Sequence, residues 1–333
     1  MNEDINALLQ LNGTQKERDW LQENMETLSV RERTILAAVF QQHPPASMAE
    51  VISHMLTLDE YEVRYHAGNC EQLGEFCMRE NCVPEELRDY VDTKELGMSY
   101  ADEHPGVFLN GHYIEYPKTE PFQRYDGKSY IPKMTDWSVR LKLASEQVSD
   151  GLWVKLPDYS DMNDEPGDIR MTLDALQVRS VRECTLLDAK CILPEIGDIV
   201  NQYNDLIELI YDGQNLGCLL DEQGQGMRGF DVRFAAAMEY ENCHQLRVAV
   251  NIAQDLDSYE YVPTLRLHDY AVEELQQRGL LEKVQNISEY FDYEGYAVNL
   301  LEQQGYMQTS DGLGFVLRFG ELEQTQSPGM TMQ

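Results

Sequence analysis

Positive charge is what this chain lacks. Only 26 Lys and Arg stand against 59 Asp and Glu, a formal net charge of -33 over 333 residues. A direct nucleic-acid ligand is excluded on that ground, because binding phosphates needs a basic footprint. Also missing is any apolar run near the roughly 18 residues that cross a bilayer. The opening MNEDINALLQLNG holds neither a basic region nor an apolar signal segment, so a cytoplasmic protein is expected. The seven Cys are an odd number without the spacing of a small disulfide scaffold, which points to reduced thiols.

Recognisable catalytic patterns are absent too: no G-x-S-x-G, H-E-x-x-H or Walker A sequence occurs. Three fragments come near a ligand motif. Gly224–Gly229 reads G-x-G-x-x-G but lacks a βαβ context and sits among acids that repel a pyrophosphate. His66, Cys70, Cys77 and Cys82 fit no standard zinc spacing. Asp158–Asp168 departs from a calcium loop because Pro166 stands where glycine is required. The expectation is therefore no cofactor, no metal and no catalytic residue.

What is present is acid distributed through folded-looking sequence. Between Cys191 and Met227 there are seven acids and no base (Glu195, Asp198, Asp205, Glu208, Asp212, Asp221, Glu222), and Val284–Leu317 holds five more without a base. They alternate with Tyr, Leu, Ile and Val rather than forming a solvated tail. Self-repulsion on this scale lowers stability, so a use is expected, and a surface imitating a polyanion is the sharpest reading. Asp198, Asp205, Glu208 and Asp212 are expected to form a stripe along one helix running from Ile196 to Asp212.

The chain also repeats itself. ILAAVFQQHPPASMAEVISHMLTLDEYEV (Ile35–Val63) and FAAAMEYENCHQLRVAVNIAQDLDSYEYV (Phe234–Val262) both run from an Ala-rich helix through a break and a second helix to LD-x-YE. Downstream, LRDYVDTKELG faces ISEYFDYEGYA, aligning Tyr90 with Tyr290 and Asp92 with Asp292. Each copy then closes on a strand, GHYIEY or LGFVLRF. The LD-x-YE segments are read as strands, and Tyr90, Tyr290, Tyr293 and Tyr296 as core or interface groups. Between the copies, VRLKLASEQVSDGLWVKLP predicts two strands around Asp150-Gly151, DIRMTLDALQV a helix and CTLLDAKCILPE a strand.

The segment VQNISEYFDYEGYAVNLLEQQGYMQTSDGLGFVL resembles the C-terminal signature of the ArdA antirestriction family. LWVKLP, DLIELIYDGQNLG and FAAAMEYENCHQL fall where that family has its Trp-containing strand, its Leu-Asn helix and its antirestriction segment. Residues 138–320 are thus similar to a whole member and 31–116 to a second copy of its C-terminal part. Ala297 departs from the motif's glycine, which Gly97 keeps.

The resemblance implies an elongated multi-domain α+β fold of small antiparallel sheets packed with helices. The expected divisions are a leader 1–28, a first module 29–117, a linker 118–137, an α/β domain 138–200, a helical domain 201–252, a second module 253–320 and a tail. It implies a non-catalytic mimic of bent DNA that occupies the basic DNA groove of a type I restriction–modification enzyme, with a homodimer as a further partner state.

The acids expected to meet the partner are those seven together with Glu239, Glu241, Asp255, Asp257, Glu260, Asp269, Glu273, Glu274, Glu289, Asp292, Glu294 and Glu302. The small-residue faces at Ala37, Ala38, Ala235, Ala236 and Met238 are expected at a subunit or intercopy interface. An acidic adaptor for another basic protein and an enzyme with a concealed site remain as alternatives.

Overall fold

The computed structural model describes residues 8–117, 124–128, 130–134, 136–159, 167–226 and 229–320. The expected leader, linker and calcium-loop segments lie partly outside these residues, and the expected tail wholly outside. Two compact units emerge. One runs up to Ile192 and takes in Tyr203–Ile210; the other comprises Leu193–Gln202 and the described residues from Tyr211 onward.

The first unit begins with helices α1 (Gln15–Glu26), α2 (Val30–Gln42) and α3 (Met48–Met55). Thr14 and Ser29 start the first two as capping boxes, each hydroxyl accepting from the N3 amide while the N3 glutamate, Glu17 or Glu32, accepts from the cap amide. Their apolar faces bury Leu21, Leu28, Ile35, Val39, Val51 and Ile52 in one core. A single turn at Leu58–Glu60 then leads into β1 (Glu62–Arg64). Helices α4 (Cys70–Glu80), α5 (Glu85–Arg88) and α6 (Thr93–Glu103) follow, and strands β2 (Gly106–Leu109) and β3 (His112–Glu115) complete an antiparallel sheet ordered β1-β3-β2. Next come β4 (Val139–Ala144), β5 (Leu152–Leu156), α7 (Asp168–Ala175) and β6 (Thr185–Cys191), whose sheet is ordered β5-β4-β6, again antiparallel.

Helix α8 (Leu206–Gly226) precedes α9 (Phe230–Tyr240) and α10 (Leu246–Gln254). In the second unit a turn at Leu256–Ser258 leads into β7 (Tyr259–Pro263). Helices α11 (Leu267–Gln277), α12 (Leu281–Gln285) and α13 (Tyr293–Gln303) follow, then β8 (Met307–Gln308) and β9 (Gly314–Arg318) in the order β7-β9-β8. The architecture is α+β, with three small antiparallel sheets among the described residues.

The stretches β1–β3 and β7–β9 therefore share element order and strand order. Their paired helices also match in length: α4 and α11 have 11 residues each, as do α6 and α13. Asp92 and Asp292 cap α6 and α13 by accepting from the N3 amides of Glu95 and Gly295.

One difference separates the two helix pairs. The fifth residues of α4 and α6 are Gly74 and Gly97, whereas those of α11 and α13 are Ala271 and Ala297. A Cβ on Gly74 would stand 1.8 Å from the Thr93 carbonyl oxygen, and one on Gly97 1.8 Å from that of Cys70. Backbone meets backbone in the first pair, so only glycine fits. The departure at Ala297 is thus matched by its packing partner.

Several sequence expectations are corrected. LD-x-YE is not wholly strand: Leu58–Glu60 and Leu256–Ser258 form 3-10 turns. The helix expected from Ile196 to Asp212 starts at Leu206, and Asp198 sits in left-handed backbone ahead of a short Ile199–Asn201 turn. The strands flanking Asp150-Gly151, the Asp168 helix and the Thr185 strand match expectation. The expected division 138–200 differs from the compact grouping, because its sheet packs with α2 and α7 in the first unit.

Gly97→Ala should destabilise the first unit by several kcal/mol, since the added methyl meets backbone that cannot yield. Ala297→Gly should cost less, about 2 kcal/mol, the helix-propensity difference and a lost buried methyl. Urea unfolding of both variants checks the contrast.

Candidate partner-binding surface

The expected partner-facing acids divide by environment. Glu195, Asp198, Asp205, Glu208, Glu222, Glu239, Asp257, Glu260, Asp269, Glu273, Glu289, Asp292, Glu294 and Glu302 are exposed. Asp221, Glu241, Asp255 and Glu274 are half-buried. Asp212 is only 5% exposed, and the Arg247 Nε donates to its Oδ2 at 2.9 Å. It is therefore a structural ion-pair partner and not a surface charge. The predicted stripe fails with it, because Asp198 and Asp205 precede α8 and only Glu208 of the four is an exposed helix acid.

Some surface acids also organise local backbone. Asp205 accepts from the Ile207 amide at 2.9 Å, Glu239 from the Ser310 amide at 2.8 Å and Asp292 from the Gly295 amide at 2.9 Å. Glu260 accepts from the Tyr306 hydroxyl at 2.7 Å, and burial, then this neighbour, pushes the phenol up. Glu241 accepts from the Tyr259 hydroxyl at 2.8 Å, while Arg318 reaches Asp255 at 3.0 Å and lies over the Tyr259 ring. That group ties β7 and β9 to the acids before them, so Glu241 and Asp255 serve the fold first. Beside β7 and α11 a polar cleft of about 400 Å³ is lined by Glu260, Tyr261, Arg266, Tyr270, Glu273, Glu274 and Tyr306 among others.

The small-residue faces do not behave as expected. Ala38, Ala236 and Met238 are buried within their own units and unavailable to a partner, leaving Ala37 and Ala235 exposed. The reason is local: the Ala236 side of α9 packs on β7 and β9. Tyr293 and Tyr296 are half-buried against the second unit's core, and Tyr90 and Tyr290 stand outside any core, 87% and 89% exposed.

Two polar clusters escaped the sequence reading. In the first, Glu32 is 1% exposed, and Arg140 grips it bidentately at 2.9 and 3.1 Å. Lys155 lies 3.6 Å from Glu32 and 2.6 Å from Asp136. Asp168 is buried nearby, and burial, then the charge of Glu32, raises its carboxyl to about 6. Two cations are balanced by two carboxylates, so the third acid holds its proton most readily. In the second cluster, the Tyr65 hydroxyl donates to Asp174, Tyr65 stacks on His112 at 4.8 Å, and the His66 amide donates to His112 Nδ1 at 3.4 Å. Burial holds both imidazoles below their ordinary range. No local spacing could reveal either cluster, since the residues lie tens of positions apart.

Among the described residues no group of three or more His, Cys, Asp or Glu is arranged to hold a metal, and no helix is long and apolar enough to cross a membrane. No family model matches the chain, and no curated protein or solved structure is significantly similar to it.

Asp168 has a raised folded pKa, so its contribution to stability is fully present below the unfolded value of 3.8 and is lost as pH climbs from there through about 6. Asp168→Asn should remove that loss and stabilise the protein at pH 8, by on the order of 2 kcal/mol. Glu32→Gln should destabilise by roughly 3 kcal/mol, because it leaves Arg140 buried without its anion. Denaturant titrations at pH 4.5 and pH 8 check both signs.

Proposed function

We propose that this chain is a non-catalytic acidic decoy of double-stranded DNA, acting in the basic DNA groove of a type I restriction–modification enzyme or a similar DNA-targeting complex. The observation carrying this reading is the exposure of 14 of the 19 expected acids, many of them seated on helices, strands or hydrogen-bonded turns. B-DNA bears about one negative charge per 1.7 Å of axis, and a partner shaped for it gains steering and counterion release from any rigid surface of similar charge. The ArdA resemblance of the second module supports the same target class. The matched order of β1–β3 and β7–β9, with their helices, supports an internal duplication in which the first module is a second copy.

The test is displacement of a labelled duplex from a purified type I restriction–modification enzyme. The decoy should displace it in a salt-sensitive manner. Single neutralisations should be nearly silent, since an exposed charge contributes about 1 kcal/mol or less. Joint neutralisation of Glu195, Glu222, Asp269, Glu289, Glu294 and Glu302 should weaken displacement progressively and flatten its salt dependence. Loss of activity from one carboxylate with the fold intact would contradict decoy action. The enzyme alternative draws on the Tyr65–His66–His112–Asp174 cluster, so unchanged inhibition by His66→Ala would count against it.

A further inference from the structure

Large exposed side chains are ordinary when scattered singly. Here a pair recurs. On the first module Leu87 and Tyr90 are 51% and 87% exposed; on the second Ile287 and Tyr290 are 52% and 89% exposed. The two pairs have the same i, i+3 spacing, in the short segment between the paired helices and just ahead of the capping aspartates Asp92 and Asp292. Buried positions of the same modules differ, Gly74 and Gly97 against Ala271 and Ala297. The solvent-facing tyrosine is nevertheless present in both. Packing does not explain it, because so little of either ring is covered.

Charge says what the rings meet. Glu85, Glu86, Asp89 and Asp92 neighbour Tyr90 in sequence, with Arg88, whose Nε donates to the Val83 carbonyl, and Lys94 as the nearby bases. Glu282, Glu289, Asp292 and Glu294 neighbour Tyr290, with Lys283. Another copy of a chain carrying -33 is a poor occupant, and so is a nucleic acid. A basic protein surface fits. Among its side chains arginine suits best, since a planar guanidinium stacks on an aromatic face while its edge donates to carboxylates, which an ammonium cannot do in one plane.

We propose that Tyr90 and Tyr290 are stacking platforms for arginine side chains of the partner. They deepen the decoy reading, on which the choice of a DNA-groove partner rests: a flat ring among carboxylates adds a stacking face for guanidinium groups to a polyanionic surface.

The direct test uses nona-arginine and nona-lysine peptides at equal salt, with binding to the intact chain followed by calorimetry. The wild type should prefer nona-arginine. Each ring should contribute roughly two- to fivefold, so Tyr90→Ala/Tyr290→Ala should lose about tenfold toward nona-arginine and stay within twofold toward nona-lysine. The Tyr→Phe pair should keep the preference. An alanine pair that retains the arginine preference, or that loses both peptides equally at unchanged thermal midpoint, overturns the proposal. Failure of the wild type to displace duplex from a restriction–modification enzyme would sink the decoy reading while leaving an intact arginine preference standing.

Discussion

A shortage of cations, a few of them held against interior carboxylates, is the constraint on which the rest of this structure depends. Arg140 and Lys155 are almost fully buried against Glu32 and Asp136. Arg64 reaches Glu115, which also accepts from the Tyr100 hydroxyl and sits 2.9 Å from His104 Nδ1. Arg318, likewise buried, holds Asp255 beside the Tyr259 ring. A base used to neutralise an interior acid cannot compensate a surface one. With 26 Lys and Arg against 59 acids, the exterior is left acidic by necessity. Like-charge repulsion outside lowers stability, and inside, removing one partner of a desolvated pair would strand a charge.

The two β-α-α-α-β-β stretches solve one packing problem in two ways. At Gly74 and Gly97, α4 and α6 touch through their backbones; α11 and α13 carry Ala271 and Ala297 there, both buried in the second unit's core. Both arrangements keep a capping aspartate and an exposed tyrosine in the same relation to the second helix.

Much of this was legible in local sequence. Asp150-Gly151 announces a turn between alternating strands, and the paired LD-x-YE segments the common order of elements. What was not legible is the second use of each group. Nothing in the sequence near Glu32 shows that it closes a capping box while Arg140 and Lys155 converge on the same carboxylate. Asp212 follows helical spacing from Asp198, but the backbone turns left-handed at Asp198 and restarts at Leu206, so the count slips and Asp212 faces inward to Arg247. Tyr90 and Tyr290 read as core or interface groups, and only the fold shows that neither ring is in the core. Composition gives the number of acids; only the fold shows which of them remain at the surface.

The central claim, an exterior whose large excess of acid over base is left uncompensated, is tested most directly by the salt dependence of thermal stability. Midpoints should be followed in sodium chloride from about 20 mM to about 500 mM, over which the screening length falls from tens of ångströms to a few. Surface repulsion is then screened while the buried pairs are little affected, so the midpoint should rise steadily by several degrees. A midpoint that stays flat or falls would show that the surface acids are already balanced, and would contradict the account.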